Sequence, residues 1–201
     1  MQQNPTMERV LMGWLLLLWL VTAVAPSYRH DWLLENLLVF VAVIALAATR
    51  SRFAFSTLAY ALITVFLSLH LIGAHYTYSE TPLGYWMQDW FGWQRNHYDR
   101  LVHFAFGLLI VIPVRELLCR AARLHGHWLW LLSLSVIMAF SALYEAIEAI
   151  AAMLISPELG AAYLGTQGDE FDAQKDSLLA LLGAILTLLL WAQCGRREQR
   201  P

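Results

Sequence analysis

The sequence predicts an all-α polytopic membrane protein, a bundle of six transmembrane helices with both termini cytoplasmic. Hydrophobic residues make up 59% of the chain and charged residues 14%, whereas a soluble domain uses about a quarter charged residues. The apolar residues also fall into six long runs, each close to the roughly 20 residues that a helix needs to cross a bilayer. A chain of 201 residues leaves little outside such a bundle, so we predict a single integral-membrane domain, 1–201.

The six spans are predicted from apolar windows that end at polar or turn-forming residues. They cover residues 8–25, 32–48, 53–74, 99–118, 128–155 and 176–194. The first run also allows a second interpretation, a cleaved signal peptide, because AVA at 23–25 resembles a small-residue cleavage site. Pro26 directly after that site, and the lack of a charged region beyond Arg9, favour an uncleaved span.

The basic residues orient the bundle. With both termini inside, nine of the thirteen arginines and lysines face the cytoplasm, as the positive-inside rule expects. The four on the outer side are Arg29, Arg95, Arg100 and Lys175. Cys119 and Cys194 lie near predicted cytoplasmic ends, where thiols stay reduced, so we predict no disulfide. The near balance of 13 basic and 15 acidic residues gives no reason to expect a nucleic-acid partner.

This topology brings the unusual polar residues together on the outer side. The fourth span begins with HYDRLVHF at 97–104, the fifth carries YEAIE at 144–148 in its outer half, and YLGTQGDEFDAQKD at 163–176 joins the fifth and sixth. A charge near the bilayer centre costs about 2.5 to 3.5 kcal/mol on insertion scales, so such residues usually turn inward. The sets that share a helical face are Asp99 with His103, Glu145 with Glu148 and, if the sixth helix begins early, Asp169 with Asp172 and Asp176.

The residue types in this outward-facing pocket are those of a metal site. Zinc prefers histidine with some carboxylate, while manganese and magnesium prefer carboxylate oxygens. The predicted metal ligands are His103, Asp99, Asp169, Asp172 and Asp176. The predicted catalytic residues, which would move a proton, are His103, Glu145 and Glu148. The predicted substrate-binding residues, which would hold an anionic headgroup, are Arg100, Gln167 and Lys175.

Aromatic residues crowd the loop between the third and fourth spans, GYWMQDWFGWQRNHY at 84–98. Tryptophan and tyrosine favour the headgroup region of a bilayer. We therefore predict a short interfacial helix that caps the polar cavity. An ordinary aromatic belt is the plainer interpretation, and lipid recognition is the alternative.

Three separated motifs, in order, carry a resemblance to a known family. YDRLVHFAFG at 98–107, YEAIE at 144–148, and YLGTQGDEFDAQKD at 163–176 followed by Gly183 resemble the YjdF-like predicted inner-membrane proteins. The Asp-basic-x-x-His-Phe start of one helix is more distantly similar to VanZ-like membrane proteins. The resemblance implies a multi-pass protein of the cell inner membrane and supplies no reaction.

Three functions remain open at this point. The first is a metal-assisted hydrolase or transferase that acts on a lipid or lipid-linked headgroup at the periplasmic face. The second is a non-catalytic membrane scaffold or assembly factor, whose polar cluster holds helices together. The third is a proton-coupled transporter, because intramembrane glutamates are typical proton carriers. Membrane lipid is the expected partner in each case.

Overall fold

The computed structural model describes residues 3–154 and 164–198, with side chains up to 193. These residues form a bundle of seven α-helices and one short 3₁₀ turn, Tyr78–Glu80. The helices are α1 (Pro5–Thr22), α2 (Arg29–Thr49), α3 (Thr57–Tyr76), α4 (Pro82–Phe91), α5 (Tyr98–Arg120), α6 (Gly126–Leu154) and α7 (Asp172–Glu198). All except α4 are long and apolar enough to cross a membrane, which confirms the six predicted spans.

Capping residues explain where the helices depart from the predicted bounds. α1 begins before residue 8 because the Asn4 side chain accepts hydrogen bonds from the first free N–H groups of the helix. α3 begins after residue 53 because Ser56 caps it, accepting from the N–H of Ala59. α7 begins at Asp172 and not at 176. Asp172 and Asp176 therefore lie one turn apart on the same helix.

α5 is the central helix of the bundle and packs against α3, α6 and α7. One buried cluster joins it to α2 and α3, through residues such as Leu71 and Tyr98. A second cluster joins it to α6 and α7, through Val111, Ile137 and Ala184. The polar residues at the start of α5 thus lie among four other elements.

Two glycines bring α5 and α7 into backbone contact. A Cβ atom on Gly107 would lie 1.7 Å from the carbonyl oxygen of Ala180, and one on Gly183 would lie 2.3 Å from that of Phe104. Such small residues allow the close helix approach that membrane bundles use. The Thr187 hydroxyl adds a 2.7 Å hydrogen bond to the carbonyl of Leu108. This contact sets the distance between the acidic residues of the two helices.

The aromatic loop contains the short helix that the sequence predicts, α4. Large side chains cover its outer surface, with Trp86 55% and Trp90 69% exposed. Asn96 ties the segment to the start of α5, because its side-chain amide donates to the carbonyl of Thr81 at 3.0 Å and its Oδ1 accepts from the N–H of Tyr98 at 3.0 Å. α4 is therefore fixed beside the polar end of α5.

At the opposite end of α5, Glu116 is a buried carboxylate with every oxygen paired. Its Oε1 accepts from the Ser56 N–H at 2.8 Å and from Arg120, and its Oε2 accepts from the Ser56 hydroxyl at 2.6 Å. The Arg120 guanidinium also donates to the carbonyl of Ala54. The arrangement joins the start of α3 to the end of α5.

Candidate functional site

The predicted polar residues meet at one end of the bundle. His103 on α5 lies 3.1 Å from Glu145 on α6, and Arg95 lies 2.7 Å from Asp172 on α7. Residues separated by up to 77 positions in the sequence are thus neighbours. The convergence of these side chains is confirmed, while the side of the membrane on which they lie stays a prediction.

Three aspartates form the centre of the site. One carboxylate oxygen from each of Asp99, Asp172 and Asp176 lies within 4.8 Å of the other two. Asp172 is 5% exposed and Asp176 is 1% exposed. Among the residues that the structure describes, this is the one group of acidic, histidine or cysteine side chains close enough to hold a metal ion. It contains three of the five predicted ligands.

The three aspartates differ in their partners. Asp172 receives two hydrogen bonds from Arg95, at 2.7 and 3.0 Å, and one from Arg100 at 2.9 Å. Asp176 Oδ1 is buried and has no hydrogen-bond partner. Two like charges 4.8 Å apart repel by about 3 kcal/mol at an effective dielectric constant of 20. Arg95 and Arg100 offset the charge of Asp172, so the unpartnered Asp176 oxygen is where a further cation or a proton would reduce this repulsion.

Arg95 and Arg100 link the aspartates to the loop before α7. Arg100 donates to Asp169 at 2.5 Å as well as to Asp172. The Nε atom of each arginine is buried and has no partner, so each retains one free N–H. Arg95 was predicted only as an outer charge, although its position four residues before the predicted fourth span placed it beside the pocket.

Asp169 and Lys175 form an ion pair at the edge of the site. Lys175 Nζ lies 2.7 and 2.5 Å from the two oxygens of Asp169, and Asp169 Oδ1 also accepts from the N–H of Phe171. The Lys175 ammonium, with that N–H and Arg100, holds the pKa of Asp169 well below its ordinary value. Asp169 therefore lies outside the aspartate group and forms ion pairs with Arg100 and Lys175.

Gln167, a predicted substrate-binding residue, clamps the backbone of Asn96. Its Oε1 accepts from the Asn96 N–H at 2.9 Å, and its Nε2 donates to the Asn96 carbonyl at 2.9 Å. Gln167 has a φ of +49° and lies between Gly165 and Gly168, which have φ values of +58° and +85°. These left-handed residues form a turn that brings the loop back onto the start of α5.

His103 lies beside the aspartate group, 6% exposed. Its Nε2 is 3.5 Å from Asp99 Oδ1 and 3.1 Å from Glu145 Oε1, and its Nδ1 is 3.3 Å from the Ser141 hydroxyl. Glu145 Oε1 lacks a well-aligned hydrogen bond despite this short distance. The imidazole therefore stands between two carboxylates and is held by each of them loosely.

A second polar layer, which the sequence analysis missed, lies next to His103. The Tyr144 hydroxyl donates to Glu35 Oε2 at 2.5 Å. His70 Nε2 lies 2.9 Å from the Glu35 carbonyl oxygen, and Tyr78 lies 2.5 Å from His70 Nδ1. Glu148 is 9% exposed and within electrostatic range of Glu35.

A signal for this layer was present around the start of the second span. Asp31 and Glu35 are four residues apart in an otherwise apolar run, with Asn36 next to them, and all three are buried. Charged residues at that spacing in a predicted membrane helix indicate an inward-facing polar stripe.

The chain matches known membrane proteins along nearly its whole length. A family model described as a predicted membrane protein (DUF2238) matches residues 7–197. The inner membrane protein YjdF of Escherichia coli (strain K12) is 37% identical over 187 residues, which cover 92% of this chain and 89% of that protein. No solved structure matches the chain. The resemblance to the YjdF-like proteins is thereby confirmed, and the similarity to VanZ-like proteins stays a prediction.

Proposed function

This chain belongs to the DUF2238 family of predicted membrane proteins, and we propose that it is a divalent-cation-dependent hydrolase or transferase. Its substrate is a lipid or lipid-linked molecule with an anionic headgroup, and its pocket faces the periplasm. The observation that carries the proposal is the buried, unpartnered oxygen of Asp176 beside the carboxylates of Asp99 and Asp172.

The donor set favours a hard cation. All three grouped side chains offer carboxylate oxygen, which suits magnesium or manganese better than zinc. Oxygens on opposite sides of a magnesium ion are about 4.2 Å apart, given bonds of about 2.1 Å. Only two of three ligands can lie opposite each other, and adjacent ones are about 3 Å apart. The grouped oxygens lie within 4.8 Å of one another, so they would move closer together when the ion binds.

The neighbouring residues supply the remaining functions. A divalent cation bound at the aspartates would polarise a phosphoryl oxygen and lower the pKa of a bound water. His103 would accept a proton at Nε2, which lies between Asp99 and Glu145, and these carboxylates would stabilise the resulting imidazolium. Arg95 and Arg100 donate their free N–H groups to the anionic headgroup.

Manganese binding to the purified protein in detergent tests the cation site. We expect the wild type to bind Mn²⁺, followed by electron paramagnetic resonance, and Asp176→Asn to bind it at least tenfold more weakly. Glu170→Gln is the matched control, because Glu170 is an exposed acidic residue of the same loop. Equal Mn²⁺ affinity in the wild type and Asp176→Asn, or no binding by either, would contradict the proposal.

Turnover is tested separately from binding. The protein in nanodiscs of bacterial lipid extract is incubated with Mn²⁺, and lipid products are identified by mass spectrometry. We expect products that disappear in His103→Ala, while that variant still binds Mn²⁺, because His103 lies outside the aspartate group. The same products from His103→Ala would remove the proposed role of His103.

A non-catalytic scaffold is the second candidate, and one observation favours it. Arg95, Arg100 and Lys175 already bind Asp169 and Asp172, so the ion pairs hold the loop to α5. A third candidate, proton-coupled transport, draws on the Glu35–Tyr144 hydrogen bond. Absence of Mn²⁺ binding would favour the scaffold, and proton-driven uptake abolished by Glu148→Gln would favour the transporter.

A further inference from the structure

A cavity of about 80 Å³ lies next to His103, between α2, α3, α5 and α6. Its wall is mostly hydrocarbon and aromatic, with Leu38, Phe66, Val102, Phe106 and Phe140 contributing. The volume is several times the roughly 10 to 15 Å³ that one water needs. The cavity can therefore hold a short stretch of a ligand.

The polar side chains of the wall already have partners within the protein. A carbonyl oxygen only accepts, so His70 Nε2 donates to Glu35 and His70 Nδ1 accepts from the Tyr78 hydroxyl. Tyr144 donates to Glu35, and Ser141 lies within hydrogen-bond distance of His103. Water would need two to four polar partners in such a space. The wall consequently favours a hydrocarbon occupant over water.

The cavity reaches the surface that faces the bilayer. Phe140, at its edge, is 59% exposed on a membrane-spanning helix. His103 lines the cavity on one side and faces Asp99 and Glu145 on the other. Because Asp99 and His103 are four residues apart, the cavity lies about one helical turn, roughly 5 Å, deeper than the aspartate group.

We propose that this cavity binds the hydrocarbon chain of a membrane lipid next to its headgroup, so that the substrate enters sideways from the bilayer. This inference rests on the proposed function, since the headgroup of that lipid would lie at the aspartate group. It assigns the substrate class: an anionic amphiphile whose chain stays in the membrane during the reaction. A soluble phosphate ester lacks the chain that fills the cavity.

Photo-crosslinking tests the proposal. The protein is reconstituted in vesicles of phosphatidylethanolamine and phosphatidylglycerol that contain a phosphatidylglycerol with a diazirine near the carboxyl end of one acyl chain. We expect adducts on the α5 and α6 segments around Phe106 and Phe140. Leu38→Trp, which fills the cavity from α2, should lower that labelling at least fivefold. Leu37→Trp is the control, because Leu37 is 58% exposed on the same helix outside the cavity.

A second variant and a metal measurement make the outcome decisive. Val102→Phe fills the cavity from α5 and should have the same effect if Leu38→Trp does not fold. Equal labelling in the filled variants and in Leu37→Trp would overturn the inference. Mn²⁺ binding distinguishes failure of this inference from failure of the proposed function. If the wild type is labelled at the cavity but binds no Mn²⁺, the lipid site stands and the proposed cation-dependent reaction is contradicted.

Discussion

Two acidic sites at opposite ends of α5 are buried to similar degrees but differ in whether their carboxylate oxygens have hydrogen-bond partners. Glu116, 5% exposed, has both oxygens hydrogen-bonded to Ser56, with Arg120 as the counter-ion. Asp176, 1% exposed, has an oxygen without a partner and two further aspartates within 4.8 Å. A buried polar group without a partner costs about 1 to 3 kcal/mol.

The difference separates a carboxylate with a structural role from one that is a candidate for ligand binding. At the Glu116 end, the sequence provides a donor for each acceptor, which is how native proteins usually bury polar atoms. At the Asp176 end, charge repulsion and the missing partner reduce the stability of the folded protein. Groups kept in such a state at one place in a fold are candidates for ligand binding.

The largest expected effect comes from separating the aspartates. Gly107→Val inserts a side chain where even a Cβ would lie 1.7 Å from the Ala180 carbonyl, so we expect a loss of about 3 kcal/mol, the upper part of the overpacking range. Thermal unfolding in detergent measures the loss, and Mn²⁺ binding should disappear with it. Gly13→Val is the control, because a Cβ on Gly13 meets nothing within 4 Å.

The second-largest effect is expected from removing Glu116, the carboxylate whose oxygens are both hydrogen-bonded. Glu116→Ala leaves two Ser56 donors and Arg120 without their acceptor, and we expect a cost of about 2 to 3 kcal/mol. Glu116→Gln should recover part of it, because one oxygen still accepts. Chemical unfolding monitored by tryptophan fluorescence compares the two variants. Mn²⁺ affinity should be unchanged in both, and a tenfold change would contradict the separation of the two ends.

Asp172→Asn should have an intermediate effect. Arg95 and Arg100 lose their shared charged partner, but the repulsion with Asp99 and Asp176 also falls, so we expect a net cost of about 1 to 2 kcal/mol. Hydrogen exchange should report faster opening of the segment from 165 to 171. Stability equal to that of Glu170→Gln, the exposed control in the same loop, would show that the ion pairs contribute little.

The smallest and most informative effect is that of Asp176→Asn. Because Asp176 Oδ1 has no partner to lose and the repulsion with Asp99 and Asp172 falls, we expect unfolding stability without metal to stay unchanged or to rise. With Mn²⁺ in excess, the wild type should be stabilised and the variant should not. Stability lowered as much as by Glu116→Ala would make Asp176 a structural residue.

Part of the site could be predicted from the sequence because the signals are local. Helical spacing put Asp99 with His103 and Glu145 with Glu148, and alternating spans put both pairs at one end of the bundle. Glu35 and Arg95 were missed for different reasons. Glu35 was missed because the second span was predicted from its overall apolar character, which a single charged residue hardly changes. Arg95 was missed because it lies in a loop whose path depends on the contact of Gln167 with Asn96.

The sequence by itself determined the membrane class, the six spans and the end of the bundle at which the acidic residues lie. These follow from composition, segment length and helical periodicity, which act along the chain. Only the tertiary structure decided that Asp99, Asp172 and Asp176 form the group while Asp169 pairs with Lys175. The physical reason is lateral packing: the contact of α5 with α7 at Gly107 and Gly183 sets which carboxylates meet, and no pattern within one helix encodes that distance.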